Sequence, residues 1–264
     1  DSRSLYIEEK KIEGDLVIPN SVTYIGDGAF YNCSSLTSIT IPDGVEYIGD
    51  RAFYNCSGLA RINIPGSVEY IGDMAFYNCI GLTSIVIPDS VTYIGYAAFA
   101  GCSGIENITV SAKNTKYIGV GNCLIDTKDK FLIFGCKNSI IPNDGSVAGI
   151  GDYAFYNCGG LTRITIPDSV TYIGNNVFEN CSGLTSVIIP NSVTYIGNDV
   201  FKNCSGLTSV VIGENVTGIG DNAFYNCNSL MSIIIPDSVK YIGYEAFYNC
   251  GGLMSVTIPR SIEI

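Results

Sequence analysis

The sequence predicts an α/β repeat solenoid, in which each coil adds one strand to a parallel β-sheet on one face and one short helical turn on the other, with a single β-hairpin inserted. Three observations carry this. The phrase "SVTYIGDGAFYNCSSLTSITIPD" (Ser21 to Asp43) returns as "GVEYIGDRAFYNCSGLARINIPG" and "SVEYIGDMAFYNCIGLTSIVIPD", and recurs along the chain. Phe30, Phe53, Phe76 and Phe99 stand 23 residues apart, as do Phe155, Phe178, Phe201, Phe224 and Phe247, while 56 residues separate Phe99 from Phe155, so nine regular turns and one altered turn are expected. Finally, 47% of the 264 residues are hydrophobic and only 15% charged, enough to fill a core that runs through every coil. One such unit cannot bury its apolar face alone and must stack on its neighbours.

Within a coil, "LTSITIP" places Leu36, Ile39 and Ile41 in the pattern L-x-x-L-x-L, a short strand with Ile39 and Ile41 inward and Thr40 outward. Pro42 ends it, since proline cannot donate to a ladder and presets a turn. In "VEYIG", Val45 and Ile48 can turn inward together, and Gly49 allows a backbone conformation that other residues resist. Asp50 is expected to cap the amides of a short helical turn that buries Ala52, Phe53 and Cys56, with Asn55 at the following bend.

The phrase "IG-x-x-AF-x-x-C" followed by "L-x-x-I-x-I-P" resembles leucine-rich repeats of the BspA type, from Leu16 to Ile258. The resemblance implies a right-handed leucine-rich-repeat solenoid and a surface or secreted protein that adheres to host cells or matrix. It also implies that one turn can carry a hairpin variant.

Residues 1–15 fit the phrase poorly and read as a worn first turn or partial cap of one solenoid domain spanning 1–264. At the other end the repeat stops in mid-turn, which sets the expectation that the native protein continues beyond Ile264. Residues 105–149 form the irregular turn. There, "CLID" and "FLIF" joined by "TKDK" predict a hairpin over about 122–136. Cys123 and Cys136 flank it; a disulfide across its base and two separate buried thiols both fit, because pairing register cannot be fixed from sequence. The other nine cysteines follow the period and read as buried core thiols. Lysines gather in the same segment, leaving it at net +1 in a chain of net −11. Lys128 and Lys130 mark either a solvated loop or a grafted contact site.

The acidic balance, with an isoelectric point near 4.3, argues against nucleic acid, whose phosphates need a basic footprint. No run approaches the roughly 18 apolar residues of a membrane span, so no membrane insertion is expected within the chain. The chain contains no histidine, which removes Ser-His-Asp and Cys-His nucleophile systems and imidazole metal sites; no cofactor, metal or catalytic residue is assigned. The "IGD" acids Asp27, Asp50, Asp73, Asp152 and Asp221 come from different turns, and a calcium site needs six to eight convergent oxygens.

What remains for recognition is the outward side chains. Tyr47, Tyr70, Tyr93, Tyr172, Tyr195 and Tyr241, all preceding "IG", are candidate partner-binding residues with Lys128 and Lys130. Each ring can serve a protein interface or a sugar, or can cover its neighbour's backbone in a structural ladder. The function expected is therefore a non-enzymatic cell-surface or secreted binding module that meets a host protein through the lateral face of the solenoid. A structural spacer or self-associating array is the second reading, and a carbohydrate-binding accessory module, with a glycan partner, the third.

Overall fold

The protein structure is a computed structural model that describes residues 13–260 and residue 262. Most of the first turn or cap expected over residues 1–15 thus lies outside the described residues. The chain divides into two compact units, residues 1–128 and 129–264, each a parallel β-solenoid of the same coil.

In the first unit the expected strands form at Gly14–Val17, Leu36–Thr40, Arg61–Asn63, Ser84–Ile87 and Asn107–Val110. They pair in parallel with a register of one period, Ile39 opposite Ile62 and Ile85 opposite Ile108, and Leu16 takes the place expected for it opposite Ile39. A second ladder arises at the "YI" dipeptides, where Tyr24–Ile25, Tyr47–Ile48, Tyr70–Ile71 and Tyr93–Ile94 form a four-stranded sheet. In the second unit the same two series recur. Gly149–Ile150, Tyr172–Ile173, Tyr195–Ile196, Gly218–Ile219 and Tyr241–Ile242 run in one parallel ladder. Ser186–Ile188 pairs with Ser209–Val211, and Ser232–Ile234 with Ser255–Thr257.

The core is built from columns. Phe30, Phe53, Phe76 and Phe99 are buried and stack with ring centroids 5.1, 5.2 and 5.3 Å apart, following the rise from coil to coil. Phe155 to Phe247 stack likewise in the second unit at 5.2 to 5.5 Å, buried except for the half-buried Phe247. Beside them the thiols of Cys56, Cys79, Cys102, Cys181, Cys204, Cys227 and Cys250 each donate to a carbonyl of the preceding coil, as Cys56 does to Phe30 and Cys181 to Phe155, at 3.0 and 3.1 Å.

The expected helical turns are not helices: none is present among the described residues. "DRAFYNC" instead makes successive tight turns, because Arg51 and Asn55 both adopt left-handed backbone, φ 54° and 57°, which stops a right-handed helix after each turn. Alternate amides then serve different partners. Those of Ala52 and Tyr54 close local turns onto Gly49 and Arg51, whereas those of Arg51, Phe53 and Asn55 donate to Asp73, Ala75 and Tyr77 of the next coil. A coil that hands its amides to a neighbour gains the ladder a helix would forgo.

The altered turn carries the expected strands and adds a pairing that was not expected. "CLID" and "FLIF" are strands, Cys123–Asp126 and Phe131–Gly135. Cys123–Asp126 also pairs backward in an antiparallel hairpin with Tyr117–Val120, closed by Gly121 and Asn122 at φ 58° and 57°. Two consecutive left-handed residues define the type I′ turn that matches strand twist, and the Gly-Asn pair was its signal in the sequence. Cys123 and Cys136 are not bridged. Both are buried thiols: Cys123 donates to the Gly121 carbonyl at 3.6 Å, and the Ser139 hydroxyl donates to the Cys136 sulfur at 3.8 Å.

Candidate binding faces

The "YI" ladder fixes the first unit's tyrosines one above another. Tyr24, Tyr47, Tyr70 and Tyr93 stack nearly parallel with centroids 4.5, 4.4 and 4.5 Å apart, and Tyr31, Tyr54 and Tyr77 repeat this at 4.9 Å. Tyr47 and Tyr70 are half-buried, each ring face against a neighbour. Burial, then the neighbouring phenols, pushes the Tyr47 hydroxyl well above the ordinary tyrosine range. These rings offer a partner only their edges. Tyr117 ends the row by turning inward, its hydroxyl accepting the Ile94 amide at 2.9 Å, and burial pushes it up to about 12.

In the second unit the row is looser. Tyr172, Tyr195 and Tyr241 are 47%, 44% and 51% exposed and form no stacked pair with one another among the described residues. Gly218 takes the place of a tyrosine, and the Tyr195 ring lies across it, so that a Cβ there would fall 2.9 Å from two ring carbons. Where Glu179 and Lys202 replace tyrosine in the other row, they form an internal ion pair. Asn176 donates to the Glu179 carboxylate at 2.6 Å, and Lys202 reaches Glu179 at 3.5 Å and Asp199 at 2.9 Å. Burial opposes the Lys202 charge, and the hydrogen bond and charge of Asp199 with those of Glu179 outweigh it, holding the ammonium above its usual range.

The lysines of the altered turn serve the structure in part. Lys130 donates from Nζ to the Gly145 carbonyl at 3.2 Å, while Lys128 is exposed and its amide donates to Asp126. Lys116 pairs with the Asp126 carboxylate at 2.8 Å. The "IGD" acids act across coils, not within their own turn as expected. Asp27 accepts the Asp50 amide, Asp50 the Asp73 amide and Asp73 the Tyr96 amide, at 2.9, 2.8 and 2.7 Å. Asn55, at the bend where it was expected, likewise donates from its side chain to the Asn32 side chain of the preceding coil at 3.0 Å. No group of three or more candidate ligands is placed to hold a metal among the described residues.

The strand face of the second unit carries exposed aliphatic side chains outside the tyrosine rows. Ile188, Val211 and Ile234 point outward from three successive coils and are 63%, 53% and 69% exposed. Grooves of about 400 and 230 Å³ open along this face. The larger is lined by Arg163, Asp168 and Ile188 among others, the smaller by Val211, Glu214 and Ile234.

Coils of this geometry define the class: a leucine-rich-repeat solenoid with side faces free for recognition. The family model for the BspA type leucine rich repeat region matches residues 6–122 and 139–264, and the chain belongs to that family. Among solved structures it is similar to a leucine rich cell surface protein from Faecalibacterium prausnitzii A2-165, 31% identical, covering 94% of this chain and 80% of that one with a TM-score of 0.73. A leucine-rich repeat protein from Eubacterium ventriosum shares the fold at 24% identity and a TM-score of 0.79, covering 94% of this chain and 73% of its own. The pneumococcal vaccine antigen PcpA does so at 21% and 0.67, covering 98% of this chain and 66% of its own. No curated protein matches this chain.

Proposed function

We infer that this chain is a non-enzymatic binding module that works at a cell surface or outside the cell, attaching to a host matrix or cell-surface protein through the side of its coils. The observation that carries the reading is the 31% identity, over 94% of this chain, to a bacterial cell surface protein of the same fold. The side chains support it. Those with the chemistry of catalysis, the column acids and thiols, are committed to cross-coil hydrogen bonds, whereas outward strand positions are open to solvent. Tyr47 and Tyr70, stacked on both sides, offer no free ring face for a sugar, which weighs against glycan binding at these two rings.

The test is a screen of the protein against immobilised matrix proteins and glycans, with its mass followed by sedimentation. Saturable capture of a matrix protein by the monomer is expected. Capture of glycans alone, or concentration-dependent assembly with no capture, would replace the reading by one of its rivals.

A further inference from the structure

The strand face of the second unit holds the most distinctive exposed surface. Ile188, Val211 and Ile234 occupy one outward column, bounded on its two sides by Thr165 and Thr257 in the adjoining coils. In the first unit the same column carries Val17, Thr40, Asn63, Val86 and Thr109, so that no two aliphatics are adjacent there. The coil therefore folds with polar residues at this position, and three consecutive branched aliphatics are not a demand of packing. Left in water they form an apolar patch of the kind that marks a contact surface. Met231 and Met254, 51% and 82% exposed, immediately precede the strands Ser232–Ile234 and Ser255–Thr257.

Two further observations say what fits. Ser209–Val211 pairs with Ser186–Ile188 and Ser232–Ile234 with Ser255–Thr257, so the sheet is divided between Val211 and Ile234, where the groove of about 230 Å³ opens. That groove carries one ionised group, the exposed Glu214, in a chain of net charge −11. A cationic partner complements it; an acidic one would be repelled. The groove of about 400 Å³ is lined by both Arg163 and Asp168 and so carries no net charge, which leaves Glu214 as the charge that selects an occupant.

Resting on the binding-module reading, we propose that this face seats an extended cationic and aliphatic segment of a partner protein. Its apolar side chains lie against Ile188, Val211 and Ile234, and a lysine or arginine meets Glu214. No aromatic ring stands in the column for a sugar to stack on.

The experiment uses the whole chain and a fluorescent peptide of alternating valine and lysine, read by anisotropy at low and at physiological salt, beside a valine–glutamate and a serine–lysine peptide. The valine–lysine peptide binds, and both others bind at least about tenfold more weakly. The triple variant I188S/V211S/I234S loses about tenfold in affinity for it, E214K weakens it and flattens its salt dependence, and I80S, which removes an exposed aliphatic of the first unit, leaves it unchanged. Val211→Thr alone, placing there the residue found at Thr40, supplies a milder variant whose folding is checked by thermal melting. Equal binding by the triple variant, or equal binding of the serine–lysine peptide, overturns the proposal. The matrix screen separates this from the broader reading. A matrix protein held as well by the triple variant as by the parent sinks this face while adhesion stands. Peptide capture that the variant loses, with no matrix protein bound, supports the face and removes adhesion.

Discussion

Phe76 shows how far a single residue could be read. Its period marked it as core, and it is fully buried between Phe53 and Phe99. Gly49 and Gly72 show where such reading stopped. Gly49 was read as glycine for its conformational freedom, yet neither it nor Gly72 needs a left-handed backbone; what excludes a side chain is the neighbouring coil. A Cβ on Gly72 would sit 2.6 Å from the Asp50 amide nitrogen and 2.6 Å from the Gly49 carbonyl carbon, whereas one on Gly66 would meet nothing within 4 Å. Gly72→Ala must therefore push two coils apart and should lower stability by about 2 kcal/mol or more. Gly66→Ala should leave it unchanged or raise it by a few tenths of a kcal/mol. Paired denaturant titrations decide this, and similar midpoints for the two would refute close approach as the reason. A glycine's neighbour 23 residues away is invisible in the local phrase.

At the scale of the element, the strand was legible because inward and outward residues alternate in "LTSITIP". The turn "DRAFYNC" was not, because its apolar spacing suits a helix as well as a string of tight turns. The choice went to the turns through amides that the next coil's carbonyls accept. The Asp column follows the same logic. Asp50 accepts the Asp73 amide at 2.8 Å, and Asn175 and Asn198 fill that role in the second unit, accepting at 2.9 Å. The charge is thus dispensable and the acceptor is not. Asp50→Asn should cost less than about 0.5 kcal/mol, while Asp50→Ala, which strands a backbone donor, should cost about 1 to 2 kcal/mol. Thermal unfolding of both variants tests this; equal losses would mean that the carboxylate's charge matters. The candidate tyrosines divide at this scale too. Tyr47 and Tyr70 are held in a stack, and Tyr172, Tyr195 and Tyr241 are not; between Tyr195 and Tyr241 the series is broken at Gly218, across which the Tyr195 ring lies.

Across the molecule, each coil meets only its neighbours, so stability adds up coil by coil along each unit. Removing residues 62–84, one full period, keeps every column in register and should leave a cooperatively folding protein; removing residues 62–73 shifts Phe, Cys and Ile columns off the core and should abolish the cooperative transition seen by circular dichroism. A folded product from the shorter excision would show that the columns are not what holds the coils. The thiol column has a further consequence in alkali. Burial holds Cys158 and Cys204 up at about 12 against 9.0 for an ordinary thiol. Below pH 9 their contribution is fully present. Between pH 9 and about 12 the unfolded chain releases protons that the folded one keeps, so stability falls as pH rises. Melting temperature should decline over that window, and Cys204→Ala should make the decline shallower by about one proton; a slope unchanged by the substitution would remove this thiol as a cause.

The sequence by itself determined the period, the residues that fill the core, the strand register and the family, because a 23-residue repeat forces like residues into columns wherever coils stack. The tertiary structure alone decided that the turns are not helices, that the acids and asparagines bond between coils, that Cys123 and Cys136 stay apart, and that Ile188, Val211 and Ile234 face solvent beside an open groove. The physical reason is one of range. Hydrophobic spacing is written along the chain, but hydrogen-bond partners and exposure depend on groups a full coil away, and those are set only when the coils stack.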